Sequence, residues 1–341
     1  MTNTMGHRIV LAARPHGTVT LDDFRTEAFE PRDLKAGELL LEVNYLSLDP
    51  YMRSRMDDRK SYADPLKIGE VMRGESVSTV LASKNSAYHA GDFVLAHTGW
   101  QTHAVLSGDS VRKIDPQLAP VTTRLGVMGM PGFTAYAGMM AIGKPARGET
   151  VVVAAASGPV GSLVGQLAQI SGARAVGIAG GSTKCAYLRS ELHFDAAVDH
   201  LAKDFDKALA SACPSGIDVY FENVGGRIWH SVLPLLNRFA RIPVCGLVAE
   251  YDGNNSDLAR DYLPATMRQI LNQRMVIQGF LNYDLAERYY DDFIKDVSAW
   301  IAEGKVKYKE DIVEGLENAP QAFIGMLAGR NFGKLLVHVA R

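Results

Sequence analysis

Residues 151–161 read VVVAAASGPVG and carry the clearest indication of the fold. The small apolar residues predict a buried strand, and Ser157-Gly158 predicts a tight turn into a helix over about residues 159–171. A helix that starts directly after such a turn presents unpaired backbone N–H groups, which bind the pyrophosphate of a dinucleotide. Gly161 allows helix, strand and cofactor to approach closely.

The next predicted strand, Arg174–Ala179, indicates which dinucleotide binds. NAD-binding folds usually carry Asp or Glu at the end of this strand, where the carboxylate holds the ribose 2′-hydroxyl. Here the strand is followed by Gly180 and Gly181, and Lys184 comes soon after. Loss of the carboxylate and gain of a cation favour a 2′-phosphate. The sequence therefore predicts NADPH rather than NADH.

Length and composition predict a two-domain globular protein of the cytoplasm. The chain has 341 residues, 47% of them hydrophobic and 22% charged, and a net charge of −2. This charge argues against nucleic acid as a partner, and no apolar stretch is long enough to span a membrane. Met1–Arg8 lacks the apolar core of a signal peptide, and three scattered cysteines predict a reducing compartment without disulfides.

The pattern of predicted secondary structure changes near residue 125. Before it, short β-like runs separated by turn signals predict an all-β, barrel-like domain; after it, six strands alternate with helices. That alternation predicts an α/β fold, a doubly wound parallel six-stranded sheet of the Rossmann type. The C-terminal strand Gly333–Val339 is expected to rejoin the β domain. The predicted domains are therefore 1–125 with 305–341, for the substrate and catalysis, and 126–304, for NADPH.

Six short strings spread along the chain carry a family resemblance. They read LSLDPYMR at 46–53, GMPGFTAY at 129–136, AASGPVG at 155–161, ENVGG at 222–226, IPVCGL at 242–247 and GRNFGK at 329–334. Together they are similar to the medium-chain dehydrogenase/reductase superfamily. Within it, the sequence resembles the NADPH-dependent prostaglandin and leukotriene reductases, and most of all the bacterial curcumin reductases.

The resemblance implies a β-rich GroES-like barrel domain beside the Rossmann domain. It implies that the protein reduces the C=C bond of α,β-unsaturated ketones and aldehydes, with hydride from NADPH and no metal. A homodimer is expected through the edge strands of the cofactor domain. Met275–Phe280 is the apolar sixth strand and would otherwise leave an open edge.

The resemblance also assigns cofactor contacts to particular residues. Lys184 is expected on the 2′-phosphate near Gly180, and Asn223 near the nicotinamide-side ribose. His200 stands where mammalian relatives place a tyrosine on the adenosine side. The pyrophosphate turn comprises Ser157, Gly158, Pro159, Val160 and Gly161, and the rest of the cofactor is lined by Cys245, Gly246, Leu247, Tyr251, Gly279, Phe280 and Asn331.

Reduction of an enone requires a group that stabilises the developing enolate oxygen. A tyrosine hydroxyl suits this task, because its ordinary pKa of about 10 keeps it protonated at neutral pH. Tyr251 follows the fifth strand of the sheet, at the edge where doubly wound folds bind ligands, and the resemblance makes it the catalytic tyrosine. Tyr51 and Tyr62 are the weaker candidates, predicted to line the substrate pocket, although Tyr51 also suits core packing.

Three alternatives remain open at this stage. A zinc enzyme is disfavoured, because Arg73-Gly74-Glu75 lacks the histidine that zinc alcohol dehydrogenases carry there, and His97 and His103 are interpreted as surface or packing residues. An NADPH quinone reductase would use the same fold and cofactor. A structural or RNA-binding protein that keeps NADPH without turnover is the third possibility, and the neutral charge and Tyr251 argue against it.

Overall fold

The computed structural model describes residues 5–251 and 263–340. The chain forms two compact units, residues 1–125 with 310–341 (the β-rich unit) and residues 126–309 (the Rossmann unit). The Rossmann unit ends at Lys309, whereas the sequence predicted its end at residue 304. The Gln166 side chain accepts a hydrogen bond from the Lys307 N–H at 2.8 Å and donates one to its carbonyl at 2.9 Å. These bonds hold the segment after the last long helix to the Rossmann unit.

The described elements are as follows. The strands are β1 (Gly6–Leu11), β2 (Phe24–Phe29), β3 (Glu38–Ser47), β4 (Ser76–Ser83), β5 (Phe93–Ala96), β6 (His103–Ser107), β7 (Arg112–Lys113), β8 (Thr150–Val153), β9 (Arg174–Ala179), β10 (Ala196–Asp199), β11 (Ile217–Phe221), β12 (Leu236–Val244), β13 (Val276–Gly279), β14 (Glu310–Glu314) and β15 (Lys334–His338). The α-helices are α1 (Tyr51–Arg55), α2 (Met130–Gly138), α3 (Pro159–Ile170), α4 (Ser182–Ser190), α5 (Phe205–Ala212), α6 (Gly226–Val232), α7 (Leu263–Gln273), α8 (Ala286–Ala302) and α9 (Ala319–Leu327).

The Rossmann unit is built on a parallel sheet of six described strands in the order β10-β9-β8-β11-β12-β13. This is the 3-2-1-4-5-6 order of two mononucleotide-binding halves. All four residues of the central strand β8 are buried, as expected of a parallel strand covered by helices on both faces. The predicted doubly wound sheet and the separate β-rich, GroES-like domain are confirmed.

The β-rich unit combines a ribbon of β1 and β2 with a larger sheet in the order β14-β15-β3-β4-β5-β7, in which β6 also pairs with β3. Its C-terminal strand β15 runs antiparallel to β3, so this unit draws on both ends of the chain. Trp100 is fully buried in its core, stacked on Phe24 at 5.6 Å between ring centroids and met edge-on by Phe323.

One charged pair is also buried in this unit. The Lys334 ammonium lies 2.7 Å from Asp49 Oδ1 and donates a second hydrogen bond to the Leu48 carbonyl at 2.9 Å. The Ser47 hydroxyl donates a hydrogen bond to Asp49 Oδ2. This pair ties β15 to the start of α1.

No helix formed by the described residues has the length and apolar character that crossing a bilayer requires.

Candidate functional site

The turn between β8 and α3 has the geometry of an anion site. Gly158 is the N-cap residue of α3, and no side chain among the described residues caps this end, so the first N–H groups of the helix are available to a ligand. A Cβ on Gly161 would lie 2.6 Å from the Ala155 carbonyl oxygen and 2.7 Å from Ala156 Cα. Only glycine therefore lets the helix start this close to the strand.

The end of β9 carries no acidic side chain, as the sequence indicated. Gly181 has φ +91°, and its N–H donates to Asp199 Oδ1 at 2.8 Å. Asp199 comes from the end of the neighbouring strand β10 and also accepts the Leu201 N–H at 2.9 Å. These backbone hydrogen bonds lower the pKa of Asp199, so its carboxylate stays ionised and orders the loop around Gly180.

The His200 imidazole lies against this glycine corner. A Cβ added to Gly180 would be 3.0 Å from His200 Nε2, so the small residue leaves room for the ring. Burial lowers the pKa of His200; the nearby cations of Arg227 and Lys184 lower it further, and Asp199 acts in the opposite direction. Two side-chain cations therefore lie near His200, one of which, Arg227, sequence reasoning missed.

At the ends of β11 and β12, Asn223 is held in a defined orientation. Its Nδ2 donates to the Ala154 carbonyl at 2.8 Å, and its Oδ1 accepts the Cys245 thiol at 2.8 Å. Burial raises the pKa of Cys245, and the nearby Glu222 carboxyl acts in the same direction, so the thiol keeps the proton that it donates. The Asn223 amide therefore links three strand ends.

Glu222 is a further residue at this edge that the sequence analysis did not predict as a site residue. It is 2% exposed, and its Oε1 accepts the N–H groups of Val224 at 2.7 Å and Gly225 at 2.9 Å, and the Tyr220 hydroxyl at 3.1 Å. Burial raises its pKa, against the effect of these hydrogen bonds. Its position directly after a buried strand and shortly before the Gly225-Gly226 pair could have indicated it from the sequence.

Tyr251 lies at the same edge of the sheet. It follows a 3₁₀ turn over Val248–Glu250, and its N–H donates to the Val248 carbonyl at 3.3 Å. A Cβ on Gly246 would lie 3.5 Å from both the Tyr251 hydroxyl oxygen and the Asn223 carbonyl oxygen. The predicted catalytic hydroxyl thus lies close to the residue predicted beside the nicotinamide-side ribose.

The remaining sheet-edge residues complete the group. Gly279 has open space where a Cβ would be, and the Phe280 N–H donates to the Val244 carbonyl at 3.3 Å. Leu247 is 40% exposed. The structure therefore brings together, at the carboxyl ends of strands β8 to β13, the predicted residues Ser157, Gly158, Pro159, Val160, Gly161, Gly180, Lys184, His200, Asn223, Cys245, Gly246, Leu247, Tyr251, Gly279 and Phe280.

Three predicted residues belong to the β-rich unit. Tyr51 is half-buried against the core, and burial raises its pKa, with the Asp49 and Glu75 carboxyls acting in the same direction. Tyr62 is 53% exposed and rests on the Arg55 guanidinium. The Asn331 side chain donates to the Gly333 carbonyl at 2.9 Å. Their roles toward substrate and cofactor stay predictions.

No group of three or more His, Cys, Asp or Glu side chains within residues 5–251 and 263–340 could hold a metal ion. The His97 side chain is 75% exposed, with Nε2 3.8 Å from Glu75 Oε1, whereas His103 is buried with its Nδ1 on the Thr102 hydroxyl. These are the surface and packing positions that the sequence indicated. The absence of a metal cofactor stays a prediction.

Comparison with known proteins gives the family. Residues 7–114 match the family model described as the N-terminal domain of oxidoreductase, and residues 159–302 match the model described as zinc-binding dehydrogenase. The chain is 49% identical over 334 residues to the NADPH-dependent curcumin reductase of Escherichia coli, covering 98% of this chain and 96% of that protein. It is 40% identical over 325 residues to prostaglandin reductase 1 of Bos taurus, covering 94% and 95%.

Solved structures agree with these sequence matches. CurA from Vibrio vulnificus superposes with a TM-score of 0.93 at 47% identity, covering 98% of this chain and 99% of that one. Its crystal structure in complex with NADPH gives the same values. The chain therefore belongs to the medium-chain dehydrogenase/reductase superfamily, in the family of the curcumin and prostaglandin reductases.

Proposed function

We propose that this protein is an NADPH-dependent reductase of the C=C bond of α,β-unsaturated ketones and aldehydes. The relatives at 49% and 40% identity carry the names of NADPH-dependent curcumin reductase and prostaglandin reductase. The strongest support within the chain is that the Tyr251 hydroxyl and the Asn223 backbone carbonyl both lie next to Gly246, at the edge where doubly wound sheets bind ligands. NADPH, when bound, supplies the hydride for the β-carbon of the enone.

The residues of the Rossmann unit fit this cofactor. No side-chain hydrogen bond caps the start of α3, and Gly161 has no room for a Cβ. Both features suit a pyrophosphate that approaches the backbone closely. Lys184 lies near His200, and the end of β9 carries no acidic residue. Both features suit a 2′-phosphate. Asn223, oriented by Ala154 and Cys245, suits the nicotinamide-side ribose.

Tyr251 has a defined chemical task in this proposal. Its hydroxyl donates a hydrogen bond to the carbonyl oxygen of the substrate as negative charge develops there. Because the donor is neutral, it stabilises the enolate without leaving a charge in the site. Tyr51 and Tyr62 supply aromatic surface for the substrate, and Asn331 lines the cofactor.

The function is tested by following NADPH consumption with an arylidene ketone, an aliphatic alkenal, a small quinone and a saturated ketone. We expect turnover of the first two, with the saturated product identified by mass spectrometry, and none of the saturated ketone. Faster turnover of the quinone than of any enone would make the protein a quinone reductase. NADPH binding without turnover of any substrate would contradict catalysis and favour a structural or RNA-binding role.

A homodimer that pairs through β13 forms part of the proposal. Every residue of this strand is exposed, and in the described chain it pairs on one side only, with β12. Val276 is 51% exposed and Leu271, on the preceding helix, 75%. A second copy would cover this apolar edge. Light scattering after size exclusion tests it: Val276→Lys should shift a dimer to monomer, and a monomeric parent protein would contradict the idea.

A cytoplasmic location is the last part of the proposal. The three cysteines, Cys185, Cys213 and Cys245, are unpaired, as expected in a reducing compartment. Fractionation of the source cells tests the location, and recovery of the protein outside the cytoplasm would contradict it.

A further inference from the structure

A single oxygen of Glu222 holds the turn that follows β11. This Oε1 accepts the N–H groups of Val224 at 2.7 Å and Gly225 at 2.9 Å, and the hydroxyl group of Tyr220 donates to it at 3.1 Å. Glu222 and Tyr220 are both buried. Because a buried N–H without an acceptor costs about 1–3 kcal/mol, these hydrogen bonds constrain the backbone of residues 223–225.

The turn that leads to Tyr251 is attached to this same segment. The Val248 N–H donates to the Asn223 carbonyl at 3.2 Å. The Ala249 N–H donates to the Val224 carbonyl at 3.0 Å, and the Tyr251 N–H closes the 3₁₀ turn. The backbone that carries the Tyr251 side chain is therefore hydrogen-bonded to the residues that the buried carboxyl constrains.

Packing joins the two turns as well. Gly225 has φ +76°, and a Cβ added to it would lie 3.1 Å from Leu247 Cδ2 and 3.7 Å from Glu250 Oε1. A side chain at position 225 would therefore press against the second turn, in a backbone conformation that favours glycine. Hydrogen bonds and packing are thus two independent links between the turn after β11 and the turn after β12.

A buried carboxyl is a costly means of holding a turn. Burial raises the pKa of Glu222, because removal from water disfavours the charged form, and the hydrogen bonds from Val224 and Gly225 act in the opposite direction. An apolar side chain of similar size would fill the same space without this cost, but it could not accept the two N–H groups. The carboxyl therefore suits a role in setting the geometry of a site, which depends on residues that support it.

We propose that Glu222 is a positioning residue that sets the place of the Tyr251 hydroxyl and thereby the rate of enone reduction. This inference rests on the proposed function, since it takes Tyr251 as the hydrogen-bond donor to the enone carbonyl. Glu222 acts through the carbonyls of Asn223 and Val224, which hold the turn before Tyr251. A shift of about 1 Å in a catalytic group lowers a rate by as much as about 100-fold, so the carboxyl affects kcat without contacting the substrate.

The test compares kcat and KM for an arylidene ketone, and the Kd for NADPH, between variants of Glu222. Glu222→Leu removes the acceptor and should lower kcat by about 10- to 100-fold. The Kd for NADPH and the KM of the ketone should change by less than about threefold, because the proposed phosphate contacts lie at α3 and Lys184 and the Tyr251 hydrogen bond is strongest in the transition state. Glu222→Gln keeps an oxygen that accepts both N–H groups and should retain kcat within about threefold of the parent value.

A double-variant cycle separates positioning from general damage. If Glu222 acts through the Tyr251 hydroxyl, Glu222→Leu should lower kcat by less than about twofold in a Tyr251→Phe background, where that hydroxyl is already absent. Glu149→Leu is the matched control, because Glu149 is a partly buried carboxylate of the same unit that pairs with Arg241. It lies directly before β8, at the opposite end of the sheet, and its loss should lower stability and leave kcat unchanged.

Hydrogen exchange measures the same link without any substrate. In Glu222→Leu, a peptide covering residues 247–251 should exchange about tenfold faster, because the N–H groups of Val248 and Ala249 lose fixed acceptors. Glu149→Leu should leave the exchange of this peptide unchanged. Unchanged exchange in Glu222→Leu would overturn the inference.

Three kinetic outcomes would also overturn it. They are a kcat of Glu222→Leu within about twofold of the parent value, a loss of kcat that is equally large in the Tyr251→Phe background, and an equal loss in Glu222→Gln. Thermal unfolding of each variant accompanies the kinetics, and if Glu222→Leu fails to fold, Gly225→Ala carries the test through its pressure on the second turn. If the parent protein reduces no enone, the proposed function fails instead, and hydrogen exchange still tests the link between the two turns.

Discussion

Glu75 should make the stability of the β-rich unit depend on pH. It lies directly before β4, and its side chain is 18% exposed. Burial raises its pKa from 4.5 to about 7, repulsion from Asp49 adds to this, and Lys334 and Arg112 act in the opposite direction. The folded protein therefore holds this proton more tightly than the unfolded chain, and stability falls as the pH rises.

The size of the effect follows from the two pKa values. The difference between 4.5 and about 7 corresponds to about 3 kcal/mol, because one pKa unit is worth about 1.4 kcal/mol. The stabilisation from the bound proton is present in full below pH 4.5 and is lost as the pH rises through about 7. Glu75→Gln keeps the shape of the side chain and cannot ionise. It should match the parent protein near pH 4.5 and exceed its stability by about 3 kcal/mol near pH 8.

Urea unfolding followed by tryptophan fluorescence at several pH values checks this. Glu30→Gln is the matched control, since Glu30 is an exposed carboxylate of the same unit. A difference between Glu75→Gln and the parent protein that stays constant with pH would refute the reasoning. A parent protein that is the more stable of the two near pH 8 would refute it as well.

Four further predictions follow from the site and the fold. Lys184→Ala should raise the Kd for NADPH by about 10- to 100-fold, as expected for a lost charged hydrogen bond, and leave the Kd for NADH unchanged; an equal effect on both, measured by calorimetry, contradicts the 2′-phosphate assignment. Tyr251→Phe should lower kcat by about 100-fold or more with a much smaller change in NADPH affinity, and unchanged turnover removes this residue from the mechanism. Lys334→Met should cost about 3–5 kcal/mol of unfolding free energy, because the buried Asp49 loses its cation; the double variant with Asp49→Leu should recover much of it, and equal loss in both would contradict the pairing argument. Treatment with a chelator should leave enone reduction unchanged, and a stoichiometric zinc on which activity depends, found by elemental analysis, would contradict a metal-free enzyme.

The sequence predicts best where one local pattern has one structural solution. The apolar run before Ser157 predicts a buried strand, and the glycine turn predicts the start of a helix. The structure has β8 and the start of α3 at these places. The charged strand β2, FRTEAF, was not predicted, because both of its faces carry polar side chains; among the described strands it pairs with β1. The sequence predicts a strand over Ala240–Cys245, whereas β12 begins at Leu236 and includes Phe239 with φ +68°.

Side-chain partners from distant parts of the chain are the features that the sequence could not supply. Asp199 on the Gly181 N–H and Lys334 on Asp49 join residues that only the folded sheets bring together. From the sequence alone, Asp199, Lys334 and Asp49 resemble ordinary charged residues of a protein surface. Resemblance to a family supplied Tyr251 and Asn223 as candidates, but it did not indicate that Ala154 and Cys245 hold the Asn223 amide.

The Asn223 contacts show why these supporting residues matter to the chemistry. An amide side chain has two similar ends, and only its partners decide which end faces a ligand. Here the Nδ2 end points to the Ala154 carbonyl, and the Cys245 thiol occupies Oδ1. The thiol can be a donor only while it stays protonated, and burial, which raises its pKa, ensures this. Cys245 therefore acts at this position as a hydrogen-bond donor, and its thiol and the Ala154 carbonyl together set the orientation of the Asn223 amide.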